Sequence, residues 1–211
     1  MTFLLVSCAH HRRTTRNVPV APAPANIPQP GYTETGIASW YGHPYHGRPA
    51  ADGEIYDMET LVAAHRTLPF NTWVRVENLS NRKAVEVRII DRGPFIDGRI
   101  IDLSHAAANA IGMVVSGTTE VRMVVIVAPR NAPAALFAVQ VGSFHDRSNA
   151  DRVRARMQSL YGSARLLQRP ENPGVWRVIV GAGGSQEDAA SLAHRIRNES
   201  GENNAFVVRL N

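Results

Sequence analysis

The sequence predicts two small domains in series: a mainly β domain that closes into a barrel, then an α+β domain of order β-α-β-β-α-β. Three observations predict this. Short period-two alternations of apolar and polar residues recur between residues 36 and 127, separated by turn signals. A strand-turn-helix plan occurs twice after residue 136. A short Pro- and Ala-rich hinge, A-P-R-N-A-P-A-A at 128–135, stands between them. The chain has 211 residues, room for two cores of this size.

The formal net charge is +5 at pH 7. It favours an anionic neighbour: nucleic acid, a membrane surface or an acidic polymer. Arginines are spread along the chain, and no block of like charge reads as a nucleic-acid arm. No apolar run is long enough to span a bilayer.

Residues 1–8 end in Cys8, the single cysteine, which excludes an intrachain disulfide and a Cys-based zinc site. Leu5-Val6-Ser7-Cys8 resembles a lipobox, so Cys8 is the expected site of lipidation. No basic residue precedes it, and the apolar stretch is shorter than a full signal requires. Residues 9–35 form a linker punctuated by Pro19, Pro22, Pro24, Pro28 and Pro30, a composition that favours a semi-rigid extended spacer.

In the first folded domain, 36–127, strands are predicted over Gly36–Trp40, Thr72–Asn78, Ala84–Ile90 and Glu120–Val127. One short helix follows Asp102-Leu103-Ser104, with Ser104 or Asp102 as N-cap and Gly112 as its stop. Many strands and few helices point to a small closed barrel. In Val85–Phe95, Val85, Val87 and Ile89 alternate with Glu86 and Arg88, and Gly93-Pro94 ends the strand. Asp91 therefore stands at a strand end. There it is either a catalytic acid facing a groove or a turn residue bonded to local N–H groups or to Arg92.

In the second domain, 136–211, Phe137–Gly142 and Val175–Gly181 are strands that run into Gly turns. Ala150, Val153, Met157 and Leu160 keep helical spacing, as do Ala189, Leu192, Ala193 and Ile196. Ser185 with Asp188 reads as a capping box. Strands at 164–168 and 205–210 complete a four-stranded sheet with both helices on one face, leaving the other face open for a ligand.

One ordered set of motifs goes further. Gly36-Ile-Ala-Ser-Trp-Tyr-Gly42 comes first, then His46-Gly-Arg48, Asp52-Gly-Glu-Ile-Tyr-Asp57 and Ala63-Ala-His65. Asp91-Arg-Gly-Pro-Phe95 and Ile101-Asp-Leu-Ser104 follow. The set resembles the rare lipoprotein A family of septal-ring lytic transglycosylases, which implies a six-stranded double-psi β-barrel. Val139-Gln-Val-Gly-Ser-Phe144 resembles a SPOR domain, the usual C-terminal partner in that family.

The resemblance implies cleavage between MurNAc and GlcNAc in peptidoglycan strands lacking stem peptides, leaving 1,6-anhydroMurNAc ends. It implies a lipoprotein anchored in the outer membrane, facing the periplasm and enriched at the division septum with divisome partners. Asp91 aligns with the acid/base; Glu54 and His65 align with residues needed for activity; Asp57 lies in the same motif. Asp52 stands where the family usually has Asn, and Ile90 where many members have Asn. No cofactor is implied.

The chemistry suits one carboxyl. A glycosidase needs an acid for the leaving oxygen and usually a second carboxylate for water. A transglycosylase uses the sugar's own C6 hydroxyl, so one group serves as acid and then base. Donation at neutral pH requires a raised pKa, through burial or a neighbouring carboxylate, for which Glu54 is the candidate. His65 would orient Asp91 or the substrate.

Trp40 and Tyr41 are candidates to stack on sugars, one of them being core by strand alternation. Gln140, Ser143, Phe144, Trp176 and Arg177 are candidates for glycan contact on the sheet. Trp176 and Arg177 point to opposite faces unless the strand is bulged. His43 and His46 have metal-like spacing, but Pro44 breaks the helix such a pair needs, so no metal is expected. Ser104 lacks a nucleophile-elbow context and reads as a cap. A non-catalytic septal peptidoglycan-binding lipoprotein is the competing reading. An RNA-binding βαββαβ module lacks its aromatic signature, so no nucleic-acid partner is expected.

Overall fold

The computed structural model describes residues 28–96, 98–130, 132, 135–169 and 172–210. Cys8 and most of the Pro-rich stretch lie outside the described residues. No helix among the described residues is long and apolar enough to cross a membrane.

Six strands close the first domain: β1 (Thr33–Tyr41), β2 (Val62–His65), β3 (Trp73–Asn78), β4 (Ala84–Asp91), β5 (Arg99–Ser104) and β6 (Thr118–Val127). Their order around the barrel is β1-β5-β2-β4-β3-β6, with β6 returning to β1. β1/β5 and β2/β4 pair in parallel, and the remaining neighbours are antiparallel. The barrel starts at Thr33, three residues before the Gly36 expected from sequence.

Two strands carry no local signature. β2 is Val-Ala-Ala-His, buried at every position, so it shows no alternation, and Ala favours helix. β5 runs directly into helix α1 (His105–Ala110), and the helix cap masks the strand. Ser104 is that cap: its hydroxyl accepts from the Ala107 N–H at 3.2 Å.

Alternating residues of these strands fill the barrel. Ala38, Ala63, Val74, Val87, Ile89, Leu103 and Met123 are buried in one cluster with α1 residues Ala107 and Ala108. The alternation breaks once where it matters. In the β2/β4 pair, Ala63 stands against Ile89 but Ala64 stands against Asp91, so Ile90 is an extra residue in β4. A bulge of this kind turns the following side chain to the other face. Without it, Asp91 would follow Ile89 into the core.

The second domain is a sheet of order β10-β7-β9-β8. Its elements are β7 (Phe137–Phe144), α2 (Arg147–Tyr161), β8 (Ala164–Arg169), β9 (Asn172–Gly184), α3 (Gln186–Ser200) and β10 (Phe206–Arg209). Asp146 caps α2, and Ser185 with Asp188 forms the predicted capping box on α3. Both helices end at glycines in the left-handed conformation, Gly162 and Gly201. Val139, Val141, Val178 and Val180 meet the helices.

The opposite sheet face is not open. Ala138, Ile179 and Val208 are buried there and pack with Leu167, Phe206 and Leu210 against Phe95 of the barrel. The Phe95 and Phe206 rings stack with centroids 5.5 Å apart, and the Arg209 N–H donates to the Arg66 carbonyl at 3.2 Å. Apolar residues on both faces of β7, β9 and β10 explain the cover: a two-sided apolar sheet buries both sides.

Candidate active site

Asp91, turned outward by the Ile90 bulge, lines a cleft of about 710 Å³ with Tyr41, Arg48, Phe95, Asp102 and Arg177. Its Oδ1 accepts the Arg92 N–H at 2.7 Å and the Ala51 N–H at 3.1 Å. The carboxyl is thus held rigidly at the strand end and is half-buried. The Arg92 guanidinium runs into the barrel wall, donating to the Leu68 carbonyl at 2.9 Å and lying 3.7 Å over the Phe70 ring.

A second carboxylate, not anticipated from sequence, shares the cleft. Asp102 is in register with Ser39 of β1 and Ala64 of β2. The Ser39 hydroxyl donates to its Oδ1 at 2.5 Å. Arg99 Nη2 lies 2.8 Å and 3.0 Å from its two oxygens. Burial pushes the Asp102 carboxyl above the usual range, although Ser39 and Arg99 pull it down. Its signal in the sequence is the polar position between Ile101 and Leu103, both core residues, which the adjacent helix cap masks.

Tyr41 stacks on Tyr56 at 4.2 Å, so one face of its ring is unavailable to a sugar. Its hydroxyl is buried and has no hydrogen-bond partner among the described residues. Burial, with Asp91 and Asp102 nearby, drives that phenol far above its ordinary pKa and keeps it a neutral donor. Trp40 also borders the cleft, but it packs on the barrel core and donates Nε1–H to the Val114 carbonyl at 3.2 Å.

The other candidates lie further out. Glu54 is exposed and makes two 2.7 Å bonds with Arg88, which hold its carboxyl below the usual range. It does not line the cleft. It sits in the loop whose Ala51 N–H grips Asp91 and whose Asp52 N–H donates to the Ile90 carbonyl at 3.1 Å. Asp57 is exposed in the same region, accepting the Glu59 N–H at 2.9 Å, with His46 at 3.6 Å.

His65 does not meet Asp91. It is buried, its Nδ1 accepts the Thr67 and Leu68 N–H groups at 3.2 and 3.0 Å, and its Nε2 faces Glu34 at 3.3 Å. Two donors on Nδ1 require the proton on Nε2, so the ring is the neutral tautomer. Burial pushes its pKa down accordingly.

In the second domain, Gln140 is buried on the barrel-facing side and donates to the exposed Ser143 hydroxyl at 2.9 Å. Trp176 lies on the helix side with Arg147 4.9 Å over its ring, and Phe144 packs on that side too. Arg177 lies on the opposite face, 5.6 Å over Phe95, and reaches the cleft.

A lytic transglycolase family model matches residues 33–123, and a SPOR domain model matches 133–209. The endolytic peptidoglycan transglycosylase RlpA of Vibrio cholerae is 38% identical over 192 residues, 86% of this chain and 71% of that protein. The chain belongs to the RlpA family. The RlpA of Campylobacter jejuni is 36% identical, covering 85% of this chain and 73% of that protein. The RlpA of Neisseria meningitidis serogroup A is 52% identical over 104 residues, 49% of this chain and 44% of that protein. The closed barrel is accordingly the double-psi β-barrel of the RlpA family, and the βαββαβ unit is its SPOR domain.

Proposed function

We propose that this chain is an endolytic peptidoglycan lytic transglycosylase. It cuts MurNAc–GlcNAc bonds in strands without stem peptides and leaves 1,6-anhydroMurNAc ends. The observation that carries the reading is the position of Asp91: turned out of the core by the bulge, held by two backbone N–H groups, and facing the cleft.

In the proposed reaction Asp91 donates its proton to O4 of the leaving GlcNAc as the C1–O4 bond breaks. The MurNAc O6 then bonds to C1, and its proton passes to the Asp91 carboxylate. No water is consumed, and Asp91 ends as it began. Tyr41 forms part of the cleft wall beside Asp91. Glu54 acts at a distance, pinning through Arg88 the loop that supplies the Ala51 N–H. His65 props the wall behind β2. Arg48, exposed in the cleft, suits the lactyl carboxylate that a MurNAc bears once its peptide is gone.

The SPOR domain brings the enzyme to septal wall rich in stripped strands, through Ser143, Phe144 and Trp176. Gln140 joins them only if the barrel leaves its face of the sheet. Lipidation at Cys8 would tether the chain to the outer membrane, facing the periplasm. The test is digestion of amidase-treated sacculi with mass analysis of the released glycans. Anhydro ends support the lyase. Strand binding without products would leave the competing reading, a septal wall-binding lipoprotein.

A further inference from the structure

We infer that Asp102 is the second carboxylate of the cleft and a positioning residue for Asp91, its negative charge making the Asp91 proton harder to lose. The inference rests on the transglycosylase reading above and names the neighbouring charge that reading requires. Glu54, the residue expected in that role, is turned to Arg88 outside the cleft.

The geometry is one row across four strands. Ser39, Asp102, Ala64 and Asp91 are register partners in β1, β5, β2 and β4. Register partners point to the same face of a sheet. Leu103 and Ala63, one position away, both enter the core, so this row lies on the outer, cleft-facing side. Ala64 is the position between the two aspartates in the row. Their backbones stand two strand spacings apart, roughly 9–10 Å. The turn after Asp91 folds back toward the pair: a Cβ on Gly93 would sit 3.5 Å from Asp102 Oδ2 and 3.7 Å from the Ala64 methyl.

Charged and titratable groups face the pair from every side. Tyr41 comes from β1 beside Ser39, Asp52 from the loop over Ile90, and Arg66 from the end of β2. Arg92 follows β4, Arg99 lies on β5, and Arg48 and Arg177 stand further along the cleft. Arg99 contacts Asp102 directly and Ser39 donates to it; both favour the anion there, against the opposing effect of burial. The two titrate as a coupled pair. A like charge at roughly 10 Å and an effective dielectric of ~20 raises a neighbour by about one pH unit.

The test measures kcat/KM against pH on stem-peptide-free strands from amidase-treated sacculi, with the Asp91 carboxyl followed by carbon-13 NMR in parallel. In Asp102→Asn the high-pH limb and the Asp91 midpoint both move down by about one pH unit, and anhydro products persist on the acid side. Ser39→Ala, which weakens the anion on Asp102, moves both the same way by less and serves if Asp102→Asn does not fold. A midpoint that stays put in the folded variant overturns the inference. So does a rate loss equal at every pH, the mark of a merely structural role. If wild type makes no anhydro ends while the midpoint moves, the lyase reading falls and the carboxylate coupling stands.

Discussion

Asp91 and Asp102 share a register partner: Ala64 of β2 pairs with Asp91 on one side and with Asp102 on the other. Two carboxylates therefore flank one small side chain on the outer wall of the barrel. Neither arrangement follows from chain proximity; both follow from strand pairing and from the extra residue at Ile90.

Asp91→Asn keeps the acceptor oxygen for the Ala51 and Arg92 N–H groups, so the thermal midpoint should stay within a few degrees of wild type. Anhydro-product formation should fall by about a thousandfold or more, the scale of a lost acid/base group. Quantitative mass analysis of digested sacculi, alongside thermal unfolding, checks both. Near-wild-type turnover would remove Asp91 from the mechanism.

Tyr41→Phe deletes a hydroxyl that is buried without a partner among the described residues. Folding stability should hold or rise by up to about 1 kcal/mol, since no hydrogen bond is lost. Catalytic efficiency should hold, because the buried hydroxyl does not reach the sugar. A variant that loses activity at unchanged stability would put the hydroxyl in contact with substrate.

Glu54→Gln breaks the paired bonds to Arg88 and loosens the loop that bears Ala51. Activity should fall about tenfold, far less than for Asp91→Asn, because the reacting group remains in place. Loss as deep as that of Asp91→Asn, in a folded variant, would put Glu54 in contact with the sugar.

His65 makes folding pH-dependent. Burial depresses its folded pKa below the unfolded value of about 6.5, so the unfolded chain binds the extra proton. Stability therefore falls as pH drops below about 6.5, by up to about 1.4 kcal/mol per unit, until the folded pKa is reached. Glu34 adds loss at lower pH. Burial raises it, but its bond to His65 and nearby charges hold it below the usual range, so its contribution disappears as the carboxylate protonates. In His65→Gln, denaturant midpoints between pH 7 and 5 should lose most of this slope. An unchanged slope would place the effect elsewhere.

Ser104→Ala removes the cap of α1 and the 2.6 Å hydrogen bond to the Thr60 carbonyl. It should cost about 2 kcal/mol by denaturant unfolding and leave the rate per folded molecule unchanged. A specific loss of chemistry would revive Ser104 as a nucleophile.

The sequence by itself determined everything that local chemistry settles. Ser104, Ser185 and Gly112 mark helix ends because caps depend on a few neighbouring groups. The Val85–Ile89 alternation and the Gly93-Pro94 turn set Asp91 at a strand end, and the ordered motifs carried the family. Tertiary structure alone decided which way Asp91 points, because a bulge exists only relative to the strand it pairs with. It likewise brought Asp102 beside Asp91, took His65 and Glu54 out of the cleft, and laid the barrel on the sheet face of Gln140. Register and burial are properties of pairs of distant segments, and period-two or period-3.6 patterns within one segment do not encode them.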